Sequence, residues 1–327
     1  MLFKSLTLPL LKAKKMKKRV AIIDLGTNTF HLMITEFESA ILSNSTVLFK
    51  ESIPAKIGQG GINKGFITPE AIERALVVLR KFRATINTFA VDSIFATGTS
   101  AIRNASNQAD FIAIVLAETN IQIEVISGER EAELIYKGVK EAVKIGQEPA
   151  MIIDIGGGSV EFIICNETKI FWKQSFEIGG QRLMELFMKS DPISPAAVSR
   201  MNDYFTEKLL PLSNACHQYA PLKLIGSSGS FDTLLDMHFM AVSNALPPAE
   251  LTASVYPTNA FYTAYEALLL KNREERMAIP GMIELRVEMI VVAVCLIRYI
   301  IQTFGIQEIE VSHFALKEGV FSEIFNQ

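Results

Sequence analysis

The chain has 327 residues, 49% of them hydrophobic and 20% charged, with a formal net charge of −3. That length accommodates two domains with separate cores, and the faintly acidic balance excludes a general attraction to DNA or to an anionic membrane, so any polyanion must be held by a local patch. The three cysteines, Cys165, Cys216 and Cys295, are widely spaced without metal-ligand spacing and read as buried free thiols of a reducing cytoplasm.

Residues 1–18 carry many lysines around a short apolar piece but lack the apolar core and small-residue cleavage site of a secretory signal. They are expected to be a disordered extension, with Met16 an alternative start. Strands are predicted near 20–25, 29–37 and 45–53, followed by a helix with Thr68 as N-cap and Pro69 at its first position. Ser93 to Thr97 and Ile121 to Ile126 read as strands leading into Gly98-Thr99-Ser100 and Ser127-Gly128-Glu129. In α/β sheets such strand-to-helix turns collect functional groups.

Lys144 to Pro149 is polar, is punctuated by Gly146 and Pro149, and is the best linker in the chain. After it the plan repeats, with strands near 150–155, 159–165 and 169–176, then mostly helix. Leu222 to Ser230 is another strand running into a Gly/Ser loop. The apolar run Met289 to Ile297 stops at Arg298, too short for a membrane span of about 20 residues, and predicts a buried helix.

One phrase occurs twice. Val20 to Ile34 and Ala150 to Ile164 each read as an apolar strand, an Asp-x-Gly turn and a second apolar strand, with Asp24 matching Asp154, Gly26 matching Gly156 and Thr29 matching Ser159. Small residues at the tips, Gly26-Thr27-Asn28-Thr29 and Gly156-Gly157-Gly158-Ser159, let backbone N–H groups approach an oxyanion without a Cβ in the way. An aspartate at each strand end suits a hard cation such as Mg²⁺, which takes oxygen ligands and keeps much of its water. Two tips facing each other would form a phosphate and metal clamp.

The duplicated hairpins resemble the actin-like ATPase superfamily. Within it, the stretches at Asp24 to His31, Ala96 to Ala105, Ile126 to Ala132 and Asp154 to Glu161, in that order, resemble the exopolyphosphatase and guanosine pentaphosphate phosphatase (Ppx/GppA) family. The resemblance covers almost everything after residue 18. It implies an α/β chain of two actin-like, ribonuclease H-like domains with a cleft between them: an N-terminal domain over 19–145, completed by a helix over 315–327, and a C-terminal domain over 146–314.

The implied activity is Mg²⁺-dependent (or Mn²⁺-dependent) release of terminal phosphate from polyphosphate, or of the 5′ γ-phosphate from guanosine pentaphosphate, the nucleotide of the stringent response. No organic cofactor is implied, and a homodimer is an expectation carried over from the family. By motif, Glu131 is the general base and Glu161 an active-site carboxylate. Asp154 holds the metal, and symmetry adds Asp24. Thr27, Asn28, Arg103, Gly156, Gly157, Gly158 and Ser159 are expected to bind phosphate. His31 is expected to pack or hydrogen-bond locally.

The chain departs from the family pattern at Arg130, where glutamate is common, and at Gly226 to Phe231, where Gly-Gly-Thr is usual. Arg286-Val287-Glu288 keeps an Arg-x-acid pattern, read as structural. The length implies a short two-domain form. A small-molecule kinase of the same superfold and a non-catalytic polyphosphate or nucleotide sensor are the rival readings.

Overall fold

The computed structural model describes residues 17–38 and 45–325; the expected extension lies outside the described residues up to Met16, and Lys17 and Lys18 open the first strand. β1 (Lys17–Leu25) and β2 (Thr29–Glu38) form the first hairpin, with Asp24 opposite His31, and β3 (Thr46–Pro54) pairs antiparallel with β2. α1 (Pro69–Thr88) begins as its sequence requires, the Thr68 hydroxyl accepting the Ala71 N–H at 3.2 Å. β4 (Ser93–Gly98), α2 (Ser100–Arg103), α3 (Gln108–Thr119), β5 (Ile123–Val125) and α4 (Gly128–Ala142) follow. β5 is shorter than the run Ile121 to Ile126 suggests, because its ladder to β4 ends where Gly98 pairs with Val125.

The second half opens with the hairpin of β6 (Ala150–Ile155) and β7 (Val160–Cys165), joined by β8 (Ile170–Phe176). Then come α5 (Gly180–Phe187), α6 (Pro195–Lys208), α7 (Leu210–Tyr219), β9 (Lys223–Ser227) and α8 (Gly229–Ser243). β10 (Ala253–Val255), α9 (Thr258–Leu270), α10 (Arg273–Met277), α11 (Met289–Phe304), β11 (Glu308–Ser312) and α12 (Leu316–Phe325) complete the chain.

The two sheets run β3-β2-β1-β4-β5 and β8-β7-β6-β9-β11-β10, so the first five strands of each follow one order and β10 is an addition at the edge. In each, an antiparallel hairpin is extended by parallel strands that need crossovers. Two such sheets, each led by an Asp-x-Gly hairpin and covered by helices, give the α/β fold class that the sequence resemblance implies.

Both faces of each sheet are covered, which is why the hairpin strands are apolar runs rather than alternating ones. Ala21, Ile23 and Leu25 face the core beneath α1 and α3, while Val20, Ile22 and Met33 face Phe321 of α12. In the second sheet Ile153 and Phe162 join the core around α11, and Ile152 and Ile163 lie under α4. α11 is buried along most of its length, as the apolar run predicts, and among the described residues no helix is long and apolar enough to cross a membrane.

α4 and α12 cross at glycines. A Cβ on Gly138 would lie 2.0 Å from the Ala315 carbonyl oxygen, and one on Gly319 would lie 1.8 Å from that of Leu134. Only glycine lets the two backbones approach this closely. The crossing matters because each helix begins at the cleft.

Candidate active site

The two hairpin tips meet. A Cβ on Gly157 would touch the Asn28 side chain at 2.9 Å, and one on Gly158 would lie 2.5 Å from the hydroxyls of Thr27 and Ser100. Gly26 and Gly156 occupy equivalent places, each with its Cβ position about 3 Å from the carbonyl oxygen of the residue three further on, Thr29 or Ser159. The repeated glycine therefore serves the same tight reversal twice. Asn28 Oδ1 and Thr29 Oγ1 are buried without a hydrogen-bond partner, leaving polar capacity at the tip.

A cleft of about 260 Å³ opens at this junction, bounded by Asp24, Thr27, Asn28, Glu131, Asp154 and the Gly156–Ser159 turn among others. The expected site residues thus converge, with two exceptions: neither Arg103 nor Glu161 bounds the cleft. Glu161 is 1% exposed and accepts a hydrogen bond from the Ser175 hydroxyl at 2.6 Å. Arg103 is turned toward acids, its Nη1 at 2.8 Å from Glu131 Oε2 and its Nη2 at 3.3 Å from Glu177 Oε1. The guanidinium expected on phosphate here orients the expected base.

Glu131 sits in the first turn of α4, behind Ser127, whose hydroxyl accepts the Arg130 N–H at 3.1 Å. Burial raises its carboxyl to about 7, against the pull of Arg103 and with a further push from Asp24 and Asp154. Asp24, at the end of β1, is likewise raised to about 7 by burial, with Lys317 opposing and Asp154 and Glu318 adding. Burial also raises Asp154, although the Ser228 and Ser227 hydroxyls each donate to its carboxylate at 2.7 Å. Glu161 is held well above the usual range by burial and by the charges of Glu131 and Asp154. Four clustered acids, each raised by burial, are a charge excess that protons or a cation can relieve.

This donor set suits Mg²⁺. Among the described residues no three His, Cys, Asp or Glu side chains converge as a protein-only cage. Mg²⁺ does not need one, since it binds through one or two carboxylates, waters and phosphate oxygens. Asp24 and Asp154 can supply the carboxylates.

Other groups at the cleft were not singled out from the sequence. Ser228, in the Gly/Ser turn that follows β9, lines the cleft and adopts φ +71° at the start of α8, and Ser227 ends β9 behind it; the turn chemistry was the available signal. Arg286, read as structural, lines the cleft with its Nε buried and unpartnered, its backbone neighbour Gly229 leaving no room for a Cβ. Burial lowers its guanidinium below the usual range. Lys317 also lines the cleft, and nothing in the local sequence of a short C-terminal helix marks it. Burial opposes its charge, yet Glu318, Asp24, Asp232 and Asp154 hold it above the ordinary lysine range. His31 hydrogen-bonds to Ser52 Oγ at 2.7 Å, as expected of a local role, and burial keeps the imidazole neutral with help from Lys317 and Arg286.

On one rim the halves are tied by polar contacts. Ser100 donates to Glu177 at 2.6 Å, Arg182 Nη1 donates to the Ile62 carbonyl at 2.8 Å, and Glu185 accepts from the Gly60 N–H at 3.1 Å and Asn63 Nδ2 at 3.0 Å.

Comparison with known proteins agrees with this architecture. The sequence profile of the Ppx/GppA phosphatase family matches residues 37–327. A solved exopolyphosphatase from Cytophaga hutchinsonii is 44% identical and superposes with a TM-score of 0.90, over 94% of this chain and 98% of that one. The Aquifex aeolicus PPX-GPPA enzyme, 24% identical, shares the fold with a TM-score of 0.76 over 94% of this chain and 99% of that one. Exopolyphosphatase 2 of Mycobacterium tuberculosis is 28% identical over 316 residues, 92% of this chain and 97% of that protein. A bifunctional 3-dehydroquinate synthase/phosphatase of Fusobacterium nucleatum is 34% identical over 224 residues, 65% of this chain; the match spans only 33% of that longer protein.

Proposed function

The chain belongs to the Ppx/GppA phosphatase family, and from that premise we propose that it hydrolyses the terminal phosphoanhydride of inorganic polyphosphate or the 5′ γ-phosphate of guanosine pentaphosphate, with Mg²⁺ or Mn²⁺, in the cytoplasm. The observation that carries this reading is the junction of the two Asp-x-Gly tips beside a buried glutamate, Glu131, held by Arg103 at 2.8 Å and raised by burial. Phosphoryl transfer demands positioning and charge neutralisation more than covalent chemistry, and that combination suits it.

In this mechanism the backbone N–H groups of the two tips, the Thr27 and Ser159 hydroxyls and the Asn28 amide hold the terminal phosphate. Glu131, oriented by Arg103, accepts a proton from a water as its oxygen attacks the terminal phosphorus. The P–O bond to the remaining chain breaks, that chain leaves with the electron pair, and Glu131 returns its proton to solvent. Asp24 and Asp154 would hold Mg²⁺, which when bound would supply further charge neutralisation on the phosphates. A base near 7 is poised for this, since it is substantially ionised at neutral pH yet keeps affinity for the proton. Glu161, behind the wall, is itself held above the usual range by burial and by the charges of Glu131 and Asp154.

The test is phosphate release from polyphosphate and from guanosine pentaphosphate side by side, with and without Mg²⁺, using wild type and Glu131→Gln. Metal-dependent release that falls about 10³-fold in the variant is expected. ATP-dependent phosphorylation of a small acceptor without such release would replace this reading with a kinase, and tight binding without turnover would replace it with a sensor.

A further inference from the structure

Polyphosphate entering this cleft brings several negative charges to a place already lined by the acids Asp24, Glu131 and Asp154. Cations that could meet it are few. Arg103 is committed to Glu131 and Glu177, and Arg182 to Glu177 and the carbonyls of Gly158 and Ile62. Arg286 faces the side of Asp154 and Asp232, the carboxylates whose charge it feels.

Lys317 is placed differently. It bounds the cleft from the first turn of α12, and both tip aspartates, Asp24 and Asp154, feel its charge. Glu318, the neighbour in sequence whose charge helps keep it protonated, makes no hydrogen bond to it. Glu318 accepts from Lys50 Nζ at 3.2 Å and from the Ala315 N–H at 3.0 Å, which uses both its oxygens. Lys317 Nζ makes no hydrogen bond among the described residues, whereas the other α12 charge toward α4, Glu323, is paired with Arg130 and Lys137. The backbone beneath Lys317 is fixed by the Gly138 and Gly319 crossing, and the same α4 carries Glu131 at its start. One rigid helix pair therefore presents a base and an unengaged ammonium to the same cavity.

We propose that Lys317 is a catalytic residue whose ammonium contacts the terminal phosphoryl group at the junction of the two hairpin tips and neutralises the charge on its non-bridging oxygens. This rests on the phosphoanhydride hydrolase reading. An ammonium suits the task as a compact point charge with three rotatable donors, able to follow the oxygens as the phosphoryl group flattens in transfer. It accepts no proton in the reaction and leaves the water's proton to Glu131.

The experiment compares wild type, Lys317→Met, Lys317→Arg and Lys317→Ala in polyphosphate hydrolysis, with thermal unfolding of each. Lys317→Met is expected to lower kcat about 100-fold with KM changed less than about threefold, the pattern of a contact made mainly in the transition state. Lys317→Arg should recover at least about a tenth of the wild-type rate, and ethylammonium added to Lys317→Ala should restore activity in a saturable way. An active wild type with Lys317→Met within about threefold of it overturns the inference. So does a loss that tracks a lowered melting temperature and is rescued by neither arginine nor ethylammonium. If wild type releases phosphate from neither substrate, the hydrolase reading fails by itself, and binding of imidotriphosphate then decides. Affinity lowered about tenfold or more in a stably folded Lys317→Met keeps the phosphate contact, and equal affinity removes it.

Discussion

Asp24 shows how burial, with neighbouring acids adding to it, prepares a residue for a ligand. Its carboxyl is raised from 3.8 to about 7, chiefly by desolvation, so its neutral form is the one the ligand-free fold favours. A raised carboxyl contributes stability that is complete below the unfolded value and is lost as pH rises through the folded one. Asp24→Asn, a near-isostere that carries no charge, should therefore match wild type in melting temperature at pH 4 and exceed it at pH 8 by on the order of 5 °C, measured by calorimetry without ligand. Equal melting temperatures at both pH values would mean Asp24 is well solvated. Glu131, raised by the same cause, predicts that the Glu131→Gln protein is at least as stable as wild type at pH 8. The type and place of these acids were legible in the sequence. Their protonation was not, because it depends on which chain segments close over them.

At the scale of elements, the hairpins and the glycine crossing carry different kinds of information. The hairpins are local: period, turn glycines and the Thr68 cap act within a few residues, so β1, β2, β6, β7 and α1 stand close to where the sequence puts them. The α4–α12 crossing joins segments nearly 180 residues apart, and neither Gly138 nor Gly319 has a local pattern that announces it. Gly319→Ala would drive a Cβ to 1.8 Å from the Leu134 carbonyl, a backbone atom that cannot step aside. Denaturant unfolding should show a loss of about 3 kcal/mol. Because Glu131 and Lys317 ride on the two helices, phosphate release should fall as well, and a variant with wild-type stability would show that the helices can separate freely.

For the whole molecule, two halves built on one strand order enclose the cleft, and polar contacts from Glu177, Arg182 and Glu185 close one rim. Contacts of this kind are individually weak and partly solvated, which suits a rim that opens for substrate. Arg182→Ala combined with Glu185→Ala should raise KM for polyphosphate about three- to tenfold and increase the radius of gyration in solution scattering, with little change in melting temperature. Superimposable scattering curves for the variant and wild type would leave the rim with no part in closure.

The sequence by itself determined the duplicated strand–Asp-x-Gly–strand hairpins and the carboxylates at their ends. Each of these follows from turn chemistry and periodicity, which need no knowledge of distant residues. The tertiary structure alone decided that the two tips touch, that Arg103 serves Glu131 rather than bounding the cleft, and that Lys317 and Arg286 stand beside the aspartates. Those outcomes depend on chain closure and on the low dielectric it creates, where a cation from the last helix acts on an acid of the first strand.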